Sequence, residues 1–202
     1  MPAKAVAAEA VQREVRIDAP PSAVFGFLTQ PEKMVRWMGV EATLDPRPGG
    51  VYRVNLNGHE RVSGEVLEVV PDRKLVFTWG WENGILPVPP GASTVEIVLE
   101  PDGEGTLVRL THRDLPEEMR SFHTRGWDHS LARLAVVAAG GEPGPDPLRS
   151  IVRSTRVFAG TLPARYLPRY LYLFALRRLK AGRQRHEARR PPNRAPRTPG
   201  RV

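Results

Sequence analysis

The sequence predicts an α+β helix-grip fold: a curved antiparallel β-sheet of about six to seven strands wrapped around a long C-terminal helix, with two short helices after the first strand. Three observations predict it. Strand alternation around residues 11–17 runs directly into a proline-started helix, extended runs separated by turn residues fill the centre, and helical periodicity returns only after Pro116.

Each element follows from local chemistry. Val11, Arg13, Val15 and Ile17 alternate with Gln12, Glu14 and Arg16, the pattern of a half-buried strand. Ala19-Pro20-Pro21 then turns strand into helix, because proline holds a helical φ and forces its predecessor to be extended. Val24, Phe25, Phe27 and Leu28 recur on one helix side until Thr29-Gln30-Pro31 breaks the pattern and opens a second short helix through Trp37. Val24, Phe25 and Leu28 are expected to close one end of a cavity. Next come extended runs at Val40 to Leu44, Val51 to Leu56, Arg61 to Val70, Leu75 to Trp81, about Thr94 to Leu99 and about Leu107 to Leu110. Asn57-Gly58 reads as a tight hairpin turn, and Pro71 to Lys74 and Pro101 to Gly105 as further turns. Trp127, Leu131, Leu134 and Val137 recur at three and four residues and stop at Gly140-Gly141, which makes this the long helix.

Charge divides the chain. Residues 1–147 hold 15 Lys and Arg against 21 Asp and Glu, net −6, whereas residues 148–202 hold 15 against a single Glu187, net +14. The high isoelectric point thus describes a tail, and the domain itself is mildly acidic. We expect a flexible N-terminus at 1–10, the helix-grip domain at 11–141, a linker and basic, partly helical extension at 142–182 with a helix over Pro168 to Ala181, and a disordered Arg/Pro-rich tail at 183–202. The absence of cysteine excludes disulfides, thiolate metal sites and cysteine nucleophiles. With no signal-like run at the start and no apolar stretch of membrane-spanning length, the expected location is the cytoplasm.

The motifs resemble a known family, the START-like, Bet v allergen-like (SRPBCC) superfamily, and within it the branch named after activators of the heat shock protein 90 ATPase. The resemblance rests on Ala19-Pro20 with Val24-Phe25, Trp37, Gly49-Gly50 with Tyr52-Arg53, Gly64-Glu65-Val66, Leu75 to Trp79, Gly105-Thr106, Leu110-Thr111-His112, and Gly126-Trp127 with Leu131 and Leu134. It covers about residues 11–139. It implies an internal apolar cavity but no single activity, since relatives include lipid and polyketide binders, cyclases and stress or regulation-related proteins.

Strand parity selects Tyr52, Phe77, Trp79, Trp81 and His112 as candidate ligand-binding residues, and the helices add Trp37, Trp127 and Leu131, around a cavity of a few hundred Å³, roughly the size of ordinary ligand sites. The expected partner is an apolar or aromatic small molecule. Among the titratable groups, His112 faces inward at the end of its strand, His123 shares a helix face with Trp127, and His129 does not. No catalytic residue, metal ligand or cofactor is assigned, because no HxxxH or HExxH spacing, nucleophile elbow or phosphate-binding loop occurs. Two alternatives stand beside this reading. One is a cyclase or hydrolase using a cavity carboxylate or histidine, with Glu68 expected to point inward, Glu65 outward, and Glu82 at the mouth beside Trp81. The other is association of residues 148–202 with an anionic membrane surface or nucleic acid; a homodimer is also admitted.

Overall fold

The alternation at the start of the chain becomes strand β1 (Val11–Ile17), buried at both ends, in the computed structural model of the protein. The structure describes residues 10–149, 158, 160, 161 and 163–166. The flexible N-terminus, the helix expected over Pro168 to Ala181 and the Arg/Pro-rich tail lie outside the described residues.

Pro20 is extended at φ −67° and ψ 155° and launches α1 (Pro21–Thr29); Gln30 repeats the device before α2 (Pro31–Trp37). Each helix carries proline in its first turn, where a missing N–H costs nothing. The strands β2 (Glu41–Leu44), β3 (Val51–Asn55), β4 (Arg61–Val70), β5 (Lys74–Trp79), β6 (Ser93–Asp102) and β7 (Gly105–Arg113) follow as a meander. All pairings are antiparallel, and the sheet order is β1-β7-β6-β5-β4-β3-β2. The chain therefore crosses from one sheet edge to the other through α1 and α2. Finally α3 (Glu117–Ala138) lies across the sheet, against β1 and the two short helices.

Helix α3 ends as its glycines predict. Gly140 has φ 87°, its N–H bonds to Val137 O, and the Gly141 N–H bonds to Val136 O, the paired bonds of a Schellman cap. Between helix and sheet lies one core that includes Val24, Leu28, Met34, Trp37, Phe77 and Leu134.

Two expectations are corrected. Asn57-Gly58 is not a two-residue turn: Leu56 N–H bonds to Glu60 O, and the Asn57 side chain accepts from His59 and Glu60 N–H while Gly58 alone has positive φ, 84°. Asparagine here acts through its side chain rather than its backbone freedom. Glu68 does not point inward, because a bulge between Val66 and Glu68 shifts the pairing to β5. Past it the parity inverts: Val69 packs on the core, while Glu68 is exposed and pairs with Lys74 Nζ at 2.8 Å. Glu65 is exposed, as its parity indicates.

Residues 142–149, expected to begin a linker, touch α3 at particular points, while Glu142, Gly144, Pro145 and Arg149 stay exposed. The Asp146 side chain is 3% exposed, accepts from His129 Nε2 at 2.9 Å and Leu148 N at 2.8 Å, and lies 3.5 Å from Arg133 Nε. Arg133 also donates to Pro143 O and Gly144 O, so α3 holds this strap at Pro143, Gly144 and Asp146.

Curvature needs a close approach at Gly64, where a Cβ would stand 1.8 Å from Thr78 O of the neighbouring strand. Only glycine permits that spacing. Gly64→Ala is expected to destabilise the fold by about 2–4 kcal/mol, in the upper range for single substitutions; an unchanged urea midpoint would contradict the close approach.

Candidate ligand site

All four tryptophans of the chain converge on one cavity: Trp37 from the end of α2, Trp79 from the end of β5, Trp81 just beyond it, and Trp127 from the middle of α3. Trp79 is central, 5.2 Å between ring centroids from Trp127 and 6.4 Å, edge-on, from Trp81. Phe122 and Phe158 stack at 4.4 Å and complete the wall near Gly126. The lining is almost wholly apolar, with His123, Ser130 and Asp146 as its polar members.

The space itself is small. It encloses about 60 Å³, within a depression of about 530 Å³ when the solvent at its mouth is counted. The enclosed space falls short of the expected few hundred Å³, because four indoles and the Phe122–Phe158 pair fill most of the interior.

Of the eight candidates, Trp37, Trp79, Trp81 and Trp127 line the cavity. Tyr52 and Phe77 stack on one another at 3.8 Å and sit behind Trp79, 6.3 Å and 6.4 Å from it. Burial pushes the Tyr52 phenol well above its ordinary range. His112 lies behind Trp79 and Trp127, and Leu131 is buried in the core. Val24, Phe25 and Leu28 do not line the cavity; they pack elsewhere in the core. Glu82 pairs with Arg53 at 2.6 Å, and this bond holds its carboxyl below the usual range.

Helix periodicity carries a signal that parity on the strands does not. His123, Gly126, Trp127 and Ser130 follow i, i+3, i+4, i+7 and form the helix side of the cavity. Asp146 and Phe158 lie beyond the last periodic element, where sequence pattern gives no guide.

The two buried histidines serve the indoles. Trp81 Nε1 donates to His123 Nε2 at 3.2 Å, and His123 Nδ1 donates to Met119 O at 2.9 Å. Trp127 Nε1 donates to His112 Nδ1 at 3.0 Å, His112 Nε2 donates to Ser93 Oγ at 2.8 Å, and Ser93 Oγ donates to Trp79 O at 3.0 Å. Each ring must therefore be neutral, since each offers one nitrogen as an acceptor. Trp37 Nε1 donates to Phe27 O at 2.9 Å. Trp79 Nε1 is buried with no hydrogen-bond partner among the described residues.

Burial lowers the His112 pKa to about 2, with the neighbouring His123 adding to the effect, and burial lowers that of His123 to about 4. Unfolded, both take up a proton near pH 6.5. Their contribution to stability is thus complete above about pH 6.5 and falls as the pH drops toward about 4 for His123 and about 2 for His112, by about 1.4 kcal/mol per unit per ring. His123→Gln, which keeps one donor and one acceptor, is expected to flatten the stability slope between pH 6 and 4.5 by about one proton. Urea unfolding across that range checks it; an unaltered slope would mean that His123 is not held neutral.

A model of the family described as Activator of Hsp90 ATPase homolog 1-like protein matches residues 18–139, from the turn before α1 to the end of α3. The chain is similar to the solution structure of an AHSA1-like protein from Rhizobium etli, with 48% identity, 70% of this chain and 89% of that one covered, and a TM-score of 0.57. It is also similar to CalU16 from Micromonospora echinospora, at 29% identity over 74% of this chain and 84% of that one, TM-score 0.55. The fold is shared with an Aha1 from Colwellia psychrerythraea, solved as a dimer, at 17% identity over 69% and 100% of the two chains, TM-score 0.58. No curated protein matches the chain. With the family match spanning all but the first strand of the sheet-and-helix unit, the chain belongs to the family of Activator of Hsp90 ATPase homolog 1-like proteins.

Proposed function

We propose that this protein binds a small apolar or aromatic molecule between α3 and the sheet. The observation that carries the reading is the convergence of every tryptophan in the chain on one apolar cavity with an open mouth. A core that needed only to be filled has no use for four bulky, polar-tipped rings around residual empty space, whereas flat aromatic walls suit a ligand held by stacking and shape. Family membership supports the reading at the level of a ligand-binding fold.

Size bounds the ligand. About 60 Å³ admits only a few heavy atoms, so a larger molecule must use the depression and displace the half-buried Phe158 ring from Phe122. Binding then exchanges one aromatic contact for another. Affinity is set by how much more area the ligand covers than Phe158 does.

Phe158→Ala is expected to bind the neutral fluorescent probe N-phenylnaphthylamine at least about tenfold more tightly than the parent protein, while losing roughly 1–2 kcal/mol of stability, less than a fully buried phenylalanine would. A fluorescence titration of both proteins measures the first and urea unfolding the second. If neither protein takes up the probe, the cavity reading fails.

A further inference from the structure

One residue of the cavity wall, Phe158, comes from beyond the family match, which ends at residue 139. Its ring stacks on Phe122 and lies beside Gly126, where a Cβ would stand 3.7 Å from it. Further on, the chain meets the same helix again: the Tyr166 hydroxyl donates to Glu118 Oε1 at 2.6 Å, and the Arg165 guanidinium pairs with Glu118 Oε2. Glu118, Phe122 and Gly126 recur at every fourth residue and share one face of α3, so Phe158 and Tyr166 lie along that face with Tyr166 nearer the helix N-terminus.

Among the described residues, side chains alone make this attachment. The backbone bonds of the segment are local turns, Thr161 N–H to Phe158 O and Tyr166 N–H to Pro163 O, and none of them reaches α3 or the sheet. A segment held in that way lifts without breaking a helix or a strand ladder.

Resting on the ligand-binding reading above, we propose that the segment carrying Phe158, Arg165 and Tyr166 is a lid that holds the cavity closed against ligand, with Phe158 as the plug and Glu118 as the latch. Phe158 covers aromatic wall that a ligand would use, so plug and ligand compete for one surface. The latch biases that competition from outside, since Glu118, Arg165 and Tyr166 do not line the cavity. Apparent affinity scales with the fraction of molecules whose lid stands open. The hydroxyl of the half-buried Tyr166 on a carboxylate is the stronger half of the latch, because the Arg165 side chain is 63% exposed and its ion pair is screened by water.

The test extends the N-phenylnaphthylamine titration of the full-length chain to the latch. Arg165→Gln combined with Tyr166→Phe removes both latch bonds, leaves α3 and the cavity lining untouched, and is expected to bind the probe about three- to tenfold more tightly than the parent protein. Glu118→Gln keeps an acceptor for Tyr166 and loses the ion pair, so a smaller gain in the same direction is expected. In a Phe158→Ala background the Arg165 and Tyr166 changes are expected to add nothing, since the plug is gone. Unchanged or weaker binding in the Arg165 and Tyr166 variant, or the same gain with and without Phe158, overturns the lid, while tighter binding by Phe158→Ala alone leaves the cavity reading intact. Probe uptake by none of these proteins removes both.

Discussion

A buried indole N–H favours an acceptor, and in this protein two buried histidines supply one to Trp81 and to Trp127. Burying a tryptophan side chain removes about 150–250 Å² from water, worth roughly 4–6 kcal/mol by area, against about 1–3 kcal/mol for leaving its N–H unpaired. The apolar term wins, so tryptophans stay inside even imperfectly paired. The polar term decides how they are arranged. His123 takes Trp81 and His112 takes Trp127, and each ring passes its own proton to a fixed backbone or hydroxyl oxygen. Those bonds tie α3 to β6, β7 and the loop after β5 by direction as well as by contact, which an aliphatic core does not do.

Curvature of the sheet makes this possible. His112, on β7, and His123, on α3, come within 5.1 Å of each other between ring centroids, so one helix face meets both β7 and the loop after β5. Gly64 lets Thr78 close in, and the bulge after Val66 bends β4, increasing the local twist and restarting its inward face at Val69. The outer face is laced with exposed ion pairs, such as Arg109 with Glu14 and Glu100. Pairs of that kind contribute little each. Shape is set by glycine and bulge, and rigidity by the buried bonds.

How much of this was legible follows from what each pattern encodes. Alternation in β1, β6 and β7 and the Pro20-Pro21 junction are local, so the order of elements and the seven-stranded sheet are readable from residues. The bulge is not local: it is a register between two strands, and nothing in Val66-Leu67-Glu68 announces it. Parity likewise says which side a residue faces, not how deep it lies. Tyr52, Phe77 and His112 face inward with the cavity residues but end behind them. The helix stripe of His123, Gly126, Trp127 and Ser130 was present in the sequence as spacing, yet only the contact with Trp81 turns it into a wall. For residues 142–149, proline and glycine read as a linker. The same prolines lower the number of N–H groups requiring partners, which lets a segment whose one regular element is a 3-10 turn at Pro147–Arg149 lie against α3 held mainly by Asp146 and Arg133.

The chemistry of the cavity follows from its bonds. A general acid or base needs a nitrogen or oxygen free to exchange a proton with a ligand and a pKa near the working pH. Both nitrogens of His123 are engaged and its pKa is lowered to about 4; His112 stands behind the indoles with a pKa of about 2. Asp146 is occupied by His129, Leu148 and Arg133, and those bonds hold its carboxyl below the usual range despite burial, which works against them. Glu68, the carboxylate that strand parity placed inside, is on the surface. His112 and His123 are therefore spent on orienting indoles, and Asp146 on holding residues 146–148 against α3. A cavity organised in that way presents shape and aromatic surface to whatever enters it.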